Sequence, residues 1–274
     1  MQTVSCGGAE IPVLGFGTYR MKGHEVRNMV PHALAAGFRH FDTAQFYDNE
    51  SHLGDALHDA GVPRSEIFIT TKVWVSNFEP TKFATSVEES IRKLRTDHVD
   101  LLLLHWPNKD VPLDDQIEEL EAARKKGQTR HIGVSNFNVD LVKQARKIAR
   151  SPIVTNQVEC HPYISQSRLI SGMKAEGVGI SAYYGMADGR VFKDPDIASI
   201  GQRHGKSPAQ VVLRWLVQQG FVALSKTANP ERAAENADIF DFTLSEEEVA
   251  DIHKLAQPNG RLVNPAGLAP AWDD

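Results

Sequence analysis

Four polar residues of types that can move a proton occur in the first half of the chain: Asp42, Tyr47, Lys72 and His105. A tyrosine has an unperturbed pKa of about 10 and is by itself a poor acid or base at neutral pH. A neighbouring ammonium favours the phenolate and lowers that pKa, while a carboxylate beside the ammonium keeps it charged and oriented. These residue types therefore predict a proton relay, in which the imidazole of His105 places a substrate oxygen.

Three of the four residues stand at the ends of short apolar segments that recur along the chain. Helical patterns separate the segments, which are Val13–Gly17, Phe38–Asp42, Ile67–Trp74, Val99–His105, His131–Asn136, Ile153–Glu159, Val178–Tyr183 and Phe221–Lys226. The sequence VDLLLLHW is too continuously apolar for a sheet that faces water on one side, which favours parallel strands covered on both faces. An open dinucleotide-binding sheet would carry G-x-G-x-x-G after its first strand, and no third glycine follows Gly15 and Gly17 at that spacing.

The pattern predicts an α/β fold, a (β/α)₈ TIM barrel that forms a single domain over residues 1–274. Residues 1–12, with Gly7 and Gly8 at their centre, predict a short N-terminal hairpin that plugs the barrel floor. A C-terminal helix and tail end the chain. Ser207 and Ser245 each precede a glutamine or glutamate by three residues and predict helix starts with capping boxes.

The carboxyl ends of the predicted strands are unusually polar, and catalytic groups of barrels lie at that rim. Side chains alternate along a strand, so Phe38, His40 and Asp42 are predicted to face one side. Leu101, Leu103 and His105 are likewise predicted to share a side of their strand. A lone Asp at a strand end usually caps a helix, and a lone Lys is usually solvated. The joint occurrence of these groups at one rim favours a shared site over those separate roles.

A second informative segment follows the last strand. Asn229 can cap a helix and Pro230 suits its first position, so a helix begins just beyond Ser225. The free N–H groups at a helix start attract an anion, and Lys226 and Arg232 add two cations there. Barrels often bind phosphate after their last two strands, so we predict an anion site. The alternative is an ordinary capped helix with surface cations.

Composition excludes several other classes of protein. The formal net charge of −5 and the lack of a basic cluster argue against nucleic-acid binding. No apolar run approaches the ~18 residues of a membrane helix, and the N-terminus lacks signal-peptide features, so a cytoplasmic protein without membrane contact is predicted. Two cysteines cannot form a disulfide framework or a structural zinc site. No H-E-x-x-H or G-x-S-x-G motif is present, and no interface patch is readable, so we predict a metal-free monomer.

Several motifs, in this order and spacing, resemble those of the aldo-keto reductases. They are Asp42-x-Ala44-x-x-Tyr47-x-Asn49-Glu50, Lys72-Val73-Trp74, His105-Trp106-Pro107, Gly133-Val134-Ser135-Asn136-Phe137 and Asn156-Gln157-Val158-Glu159-x-His161-Pro162. The segment 226–236 resembles the family's site for the 2′-phosphate of NADPH. The tail 260–273 resembles that of the bacterial 2,5-diketo-gluconate (2,5-didehydrogluconate) and methylglyoxal reductase branch. The resemblance covers essentially the whole chain.

The resemblance implies a hydride transfer from NADPH to a carbonyl, with Asp42, Tyr47, Lys72 and His105 as the catalytic tetrad and Tyr47 as the proton donor. The residues that it implies around the cofactor are Gly17, Thr18, Asp42, Ser135, Asn136, Gln157, Tyr183, Ser225, Lys226, Thr227, Arg232, Glu235 and Asn236. Among them, Ser225 stands where the family commonly has proline. Tyr184-Gly185-Met186 stands where the family often has Ser-Pro-Leu, so no pyrophosphate contact is predicted from that loop.

The implied substrate is a small aldehyde or ketone, such as 2,5-diketo-gluconate or methylglyoxal. The side chains predicted to line its pocket are Tyr19, Phe46, Trp74, His105 and Trp106, with the tail closing one side. Two other functions stay open at this point. One is a nicotinamide-binding sensor or accessory barrel, and the other is a Schiff-base aldolase that uses Lys72.

Overall fold

The computed structural model describes residues 2–273 and contains a closed barrel of eight parallel strands. The barrel strands are β3 (Leu14–Gly17), β4 (His40–Asp42), β5 (Phe68–Val73), β6 (Val99–Leu104), β7 (Thr129–Ser135), β8 (Ile153–Glu159), β9 (Gly179–Tyr183) and β10 (Val222–Ser225). β10 pairs with both β3 and β9, which closes the ring. The predicted (β/α)₈ barrel is therefore confirmed. No strand begins or ends more than two residues from the predicted position.

Helices cover the outside of the barrel. They are α1 (Gly23–Ala35), α2 (Glu50–Asp59), α3 (Pro80–Lys93), α4 (Leu113–Lys125), α5 (Val139–Ile148), α6 (Ser167–Glu176), α7 (Pro195–His204), α8 (Pro208–Gln218), α9 (Pro230–Ala237) and α10 (Glu246–Lys254). The predicted capping boxes at Ser207 and Ser245 are present and start α8 and α10. Over residues 2–273, no helix is both long and apolar enough to cross a membrane.

The predicted N-terminal hairpin is also present, formed by β1 (Thr3–Cys6) and β2 (Ala9–Pro12). Gly7 and Gly8 form its turn with φ angles of +55° and +84°, a region that glycine adopts without steric cost. Ala9 and Ile11 pack against Leu101, Leu103, Val154 and Val222 in one buried cluster. The hairpin thus closes the floor of the barrel, and inward-facing Leu101 and Leu103 lie below His105 on the same side of their strand.

Phe38 does not follow the predicted alternation. The strand β4 begins only at His40, and Phe38 precedes it. Its ring packs edge-on against Phe16, with ring centroids 5.6 Å apart, in the core between barrel and helices. The period of two applies only within an extended strand, so it correctly relates His40 to Asp42 but does not extend back to Phe38.

Candidate active site

The strand ends bring the four predicted catalytic side chains together at the carboxyl mouth of the barrel. Asp42 is the last residue of β4, Lys72 is the penultimate residue of β5, and His105 directly follows β6. Tyr47 lies on a short 3₁₀ turn, Gln45–Tyr47, which ends at Asp48 with a φ of +51°. This turn folds the segment after β4 back over the barrel, so the phenol of Tyr47 reaches Lys72.

Lys72 is the centre of this arrangement. Its ammonium lies 2.5 Å from Asp42 Oδ1 and donates to the carbonyl of Thr43 at 2.8 Å and to the Tyr47 hydroxyl at 3.3 Å. The other carboxylate oxygen, Asp42 Oδ2, accepts from Gln157 Nε2 at 2.7 Å. The Lys72 side chain has no exposed surface. Burial lowers the pKa of its ammonium, and the charge of Asp42 acts in the opposite direction.

The pKa of Tyr47 is raised well above its usual value, mainly by burial and then by the negative charge of Asp42. The sequence prediction that this pKa is lowered is wrong in direction, because desolvation of the phenolate and the charge of Asp42 both raise it. Tyr47 therefore holds its proton at neutral pH. In that state it can donate a proton but cannot act as a base.

His105 lies next to the phenol, with its ring centroid 5.6 Å from that of Tyr47 and the two planes nearly perpendicular. Burial, together with the charge of Lys72, holds the pKa of this imidazole well below its usual range. The ring is therefore neutral at pH 7. A neutral imidazole can form a hydrogen bond to a substrate oxygen without adding a second positive charge beside Lys72.

A cavity of about 810 Å³ opens above these residues. The predicted site residues that line it are Gly17, Tyr19, Asp42, Phe46, Tyr47, Trp74, His105, Trp106, Ser135, Asn136, Gln157, Tyr183, Ser225 and Lys226. Thr18 and Lys72 lie just behind its wall, where both are fully buried. Thr227, Arg232, Glu235 and Asn236 lie outside the lining, around the start of α9.

One wall of the cavity consists of polar side chains at the carboxyl ends of β7, β8 and β9, which are held by hydrogen bonds. The Tyr183 hydroxyl donates to Asn136 Oδ1 at 2.7 Å, and Asn136 Nδ2 donates to the carbonyl of His105 at 3.0 Å. Ser135 donates to the carbonyl of Gln157 at 2.8 Å. These bonds hold the amide and hydroxyl groups in fixed orientations, as recognition of a planar amide requires.

The opposite wall is aromatic. Phe46 stacks on Trp74 with centroids 4.1 Å apart, and Trp74 meets the His105 ring edge-on at 5.1 Å. Tyr19 lies 5.0 Å from the ring of Tyr47. Phe46 and Tyr19 are 56% and 40% exposed, so large apolar surfaces face the open cavity. Exposed apolar surface that lines a concavity is typical of a binding site for an organic molecule.

The predicted anion site has its cations in place. The side chain of Asn229 caps α9 by accepting from the Arg232 backbone N–H at 3.1 Å. Lys226 and Arg232 are exposed, and neither forms an ion pair with any residue in the range 2–273. Thr227 bonds to its own loop at Asn229 N–H, at 3.0 Å. Two unpaired cations at a helix start form a site of the kind that holds a phosphate.

Two residues that were predicted near the cofactor, Glu235 and Asn236, form hydrogen bonds to other parts of the protein. Glu235 accepts a hydrogen bond from Ser207 at the start of α8. Asn236 is buried and donates to the Ser225 hydroxyl at 2.8 Å. Their predicted contacts to the cofactor stay a prediction. The bond from Asn236 gives a physical reason for a serine, rather than a proline, at position 225.

A family model described as the aldo/keto reductase family matches residues 13–257. This range includes the four predicted catalytic residues, the polar and aromatic walls of the cavity and the start of α9. The chain belongs to the aldo/keto reductase family. It is accordingly an oxidoreductase.

Individual aldo/keto reductases are similar to this chain over nearly its full length. Methylglyoxal reductase DkgB of Salmonella typhi is 41% identical over 266 residues, which are 96% of this chain and 99% of the relative. Glyoxal reductase of Bacillus subtilis is 38% identical and covers 95% of each chain. The crystal structure of a chain provisionally named 2,5-diketo-D-gluconic acid reductase B superposes with a TM-score of 0.99 at 54% identity, covering 100% of this chain and 98% of that one.

In this aldo/keto reductase, the loop after β9 lines the cavity in a way that the sequence did not predict. Tyr184, Ala187 and Asp188 have positive φ angles of 66°, 46° and 51°. Tyr184 and Asp188 both contact the Arg20 guanidinium, at 3.3 Å and 3.5 Å. Non-glycine residues rarely adopt positive φ, so local sequence carries no signal for this path. The predicted pocket lacked Arg20 for the same reason.

The aldolase alternative does not fit the geometry of Lys72. A Schiff base would require the amine to lose its proton, leave Asp42 and reach the cavity. All three of its hydrogen bonds point to Asp42, Thr43 and Tyr47, and its side chain is fully buried. Lys72 is therefore placed to act on the Tyr47 hydroxyl rather than on a substrate carbon.

Proposed function

We propose that this protein is an NADPH-dependent reductase of small aldehydes and ketones, with Tyr47 as the proton donor. The observation that carries the proposal is the hydrogen-bonded series Asp42–Lys72–Tyr47 beside the neutral ring of His105, at the base of an open cavity. Reduction of a carbonyl needs a proton at its oxygen, and this series ends in a protonated phenol. Purified protein should oxidise NADPH when methylglyoxal is added, and a nicotinamide sensor would bind NADPH without turnover.

The residues present fit a nicotinamide dinucleotide phosphate. Lys226 and Arg232 supply two unpaired cations for a 2′-phosphate. Ser135, Asn136 and Gln157 would hold the carboxamide, and the half-buried ring of Tyr183 would face the nicotinamide. When bound, the cofactor supplies the hydride.

The tetrad then performs the proton chemistry. His105 donates a hydrogen bond to the carbonyl oxygen and orients it toward Tyr47. Because the pKa of Tyr47 is raised, the phenol is fully protonated before the reaction, and an alkoxide that forms is basic enough to take its proton. The Lys72 ammonium stabilises the phenolate that remains, and Asp42 keeps that ammonium charged.

Two substrates follow from the relatives. We propose methylglyoxal or 2,5-diketo-gluconate, because similar chains carry those names and the cavity has an aromatic wall beside the tetrad. The discriminating measurement is kcat/KM for NADPH oxidation with methylglyoxal, 2,5-diketo-gluconate and an aromatic aldehyde. A highest value for the aromatic aldehyde would contradict the assignment to either dicarbonyl compound.

Arg232→Ala tests the cofactor assignment. Removal of a charge-assisted hydrogen bond to phosphate is expected to weaken NADPH binding by about 10- to 100-fold. NADH lacks the 2′-phosphate, so its Kd should change by less than about twofold. Cofactor fluorescence titration measures both constants, and Arg92→Ala, at an exposed arginine in the last turn of α3, is the matched control. An equal loss for both cofactors would show that Arg232 does not contact the 2′-phosphate.

Trp74→Ala and Trp106→Ala test the pocket. Both rings line the cavity, and Trp74 supports the exposed ring of Phe46. Loss of either ring should raise KM for an aromatic aldehyde by about tenfold, because a large apolar contact is removed. Steady-state kinetics at saturating NADPH measures this, with Trp215→Phe in the outer core as a control. If KM for every tested carbonyl stayed unchanged in both variants, the pocket assignment would be wrong.

A further inference from the structure

A second buried carboxylate lies at the barrel mouth and has no part in the mechanism above. Glu159 is the last residue of β8, and its side chain has no exposed surface. Its Oε1 accepts from the backbone N–H of Leu262 at 2.7 Å, and its Oε2 accepts from that of Val263 at 3.0 Å. Two consecutive N–H groups of the C-terminal tail therefore bind one carboxylate of the barrel.

Two further groups lie against the Glu159 carboxylate. Nδ1 of the buried His161 accepts from the Tyr163 backbone N–H at 3.2 Å, which places the ring proton on Nε2. That Nε2–H donates to Glu159 Oε1 at 2.9 Å. The Arg261 guanidinium lies 3.8 Å from Oε2. The three hydrogen bonds and the nearby cation offset the free-energy cost of burying the carboxylate. Glu159 can therefore hold the tail firmly.

The segment that Glu159 binds forms part of the cavity. Leu262, Val263, Pro265 and Leu268 line the cavity and present apolar side chains to it. Trp272 also holds this segment, because its ring lies 3.8 Å from the Arg261 guanidinium and its Nε1 donates to Asn264 at 2.9 Å. The position of this apolar wall thus depends on where the backbone of residues 261–263 is held.

We propose that Glu159 is a positioning residue that determines substrate specificity, by fixing the apolar tail wall beside the reacting carbonyl. This inference rests on the proposed reductase function. A bulky apolar carbonyl compound extends from the tetrad to the wall and gains contact area there, whereas methylglyoxal is too small to depend on it. Glu159 therefore controls the preference between large apolar and small carbonyl substrates, without touching either.

Glu159→Gln tests the proposal with minimal change in volume. A carboxamide has one acceptor oxygen, so one tail N–H would face an NH₂ group and lose its partner. We expect KM for benzaldehyde to rise by about tenfold. KM for methylglyoxal, kcat with methylglyoxal and the Kd of NADPH should each stay within about twofold of the parent values. A benzaldehyde-to-methylglyoxal KM ratio equal to that of the parent protein would overturn the proposal.

Asp100→Asn is the matched control. Asp100 is also a buried carboxylate on a barrel strand, and it accepts from the Ile69 backbone N–H at 2.8 Å and from Arg64 at 2.7 Å. It is the second residue of β6, at the end of the strand away from the cavity mouth. The same chemical change there should leave the KM ratio unaltered. A similar ratio change in Asp100→Asn would mean that general destabilisation, and not the tail, causes the effect.

Limited trypsin digestion gives a readout that does not depend on activity. If Glu159 holds the tail, Glu159→Gln should be cleaved after Arg261 at least about fivefold faster than the parent and the Asp100→Asn variant. This result stands even if the protein reduces no carbonyl, so failure of the proposed function and failure of this inference are distinguishable. Parent-like cleavage would overturn the role of Glu159 as the tail anchor.

Trp272→Ala keeps the proposal testable if Glu159→Gln does not fold. It removes the contacts to Arg261 and Asn264 that hold the same tail segment, and it should shift the KM ratio in the same direction. Where both variants fold, the double variant should show less than the product of the two single effects, because both act on one segment. An unchanged ratio in Trp272→Ala, or fully independent effects, would contradict the proposed route through the tail.

Discussion

Replacement of Tyr47 with phenylalanine is expected to lower kcat for carbonyl reduction by about 1,000-fold, because the proton donor is lost. The ring would keep its contacts with Tyr19 at 5.0 Å and His105 at 5.6 Å. NADPH affinity should therefore stay within about twofold of the parent value. Single-turnover oxidation of NADPH with saturating methylglyoxal measures the chemical step directly.

Tyr19→Phe is the matched control for this prediction. It removes a second hydroxyl at the cavity, from an exposed ring that is not part of the hydrogen-bonded series Asp42–Lys72–Tyr47. Its kcat should remain within about threefold of the parent value. If Tyr47→Phe reduced methylglyoxal at the parent rate, another group would have to supply the proton, and the mechanism would be wrong.

Replacement of Lys72 with methionine should affect both activity and stability. The Asp42 carboxylate, which lies 2.5 Å from the ammonium, would remain buried without its cation. Removal of one partner of a buried ion pair costs about 3–5 kcal/mol in the free energy of unfolding. Activity should fall by at least about 100-fold, since no ammonium remains to stabilise the phenolate of Tyr47. Urea unfolding and steady-state kinetics measure the two effects.

The double variant Asp42→Asn/Lys72→Met separates the two effects. With neither charge buried, most of the lost stability should return, to within about 2 kcal/mol of the parent protein. Activity should stay low, because the proton relay is still missing. A double variant as unstable as Lys72→Met alone would show that the unpaired Asp42 is not the cause of the instability.

Much of the fold could be predicted from the sequence because it depends on local patterns. Continuous apolar segments such as Val99–Leu104 indicate parallel strands that are buried on both faces. The capping residues Ser207 and Ser245 act within one helical turn, so their roles follow from spacing alone. Phe38 marks the limit of such patterns, because alternation holds only where the chain is actually extended.

The candidate site also has features that could be predicted from the sequence and features that could not. The convergence of the four side chains could be predicted, because the carboxyl ends of parallel strands meet at one rim and Asp42, Lys72 and His105 all occupy such ends. The direction of the Tyr47 pKa could not. It depends on how deeply the phenol is buried and how close it lies to the charge of Asp42, and both are set only once the side chains are packed.

The sequence by itself determined the barrel, its floor hairpin and the family, since these follow from periodicity, helix caps and ordered motifs. Only the tertiary structure decided that Asn236 braces Ser225 and that Glu159 binds the tail at Leu262. Glu159 and Leu262 are 103 positions apart in the chain. Bonds between such distant segments leave no local pattern, because a buried carboxylate finds its donors through the path of the folded backbone.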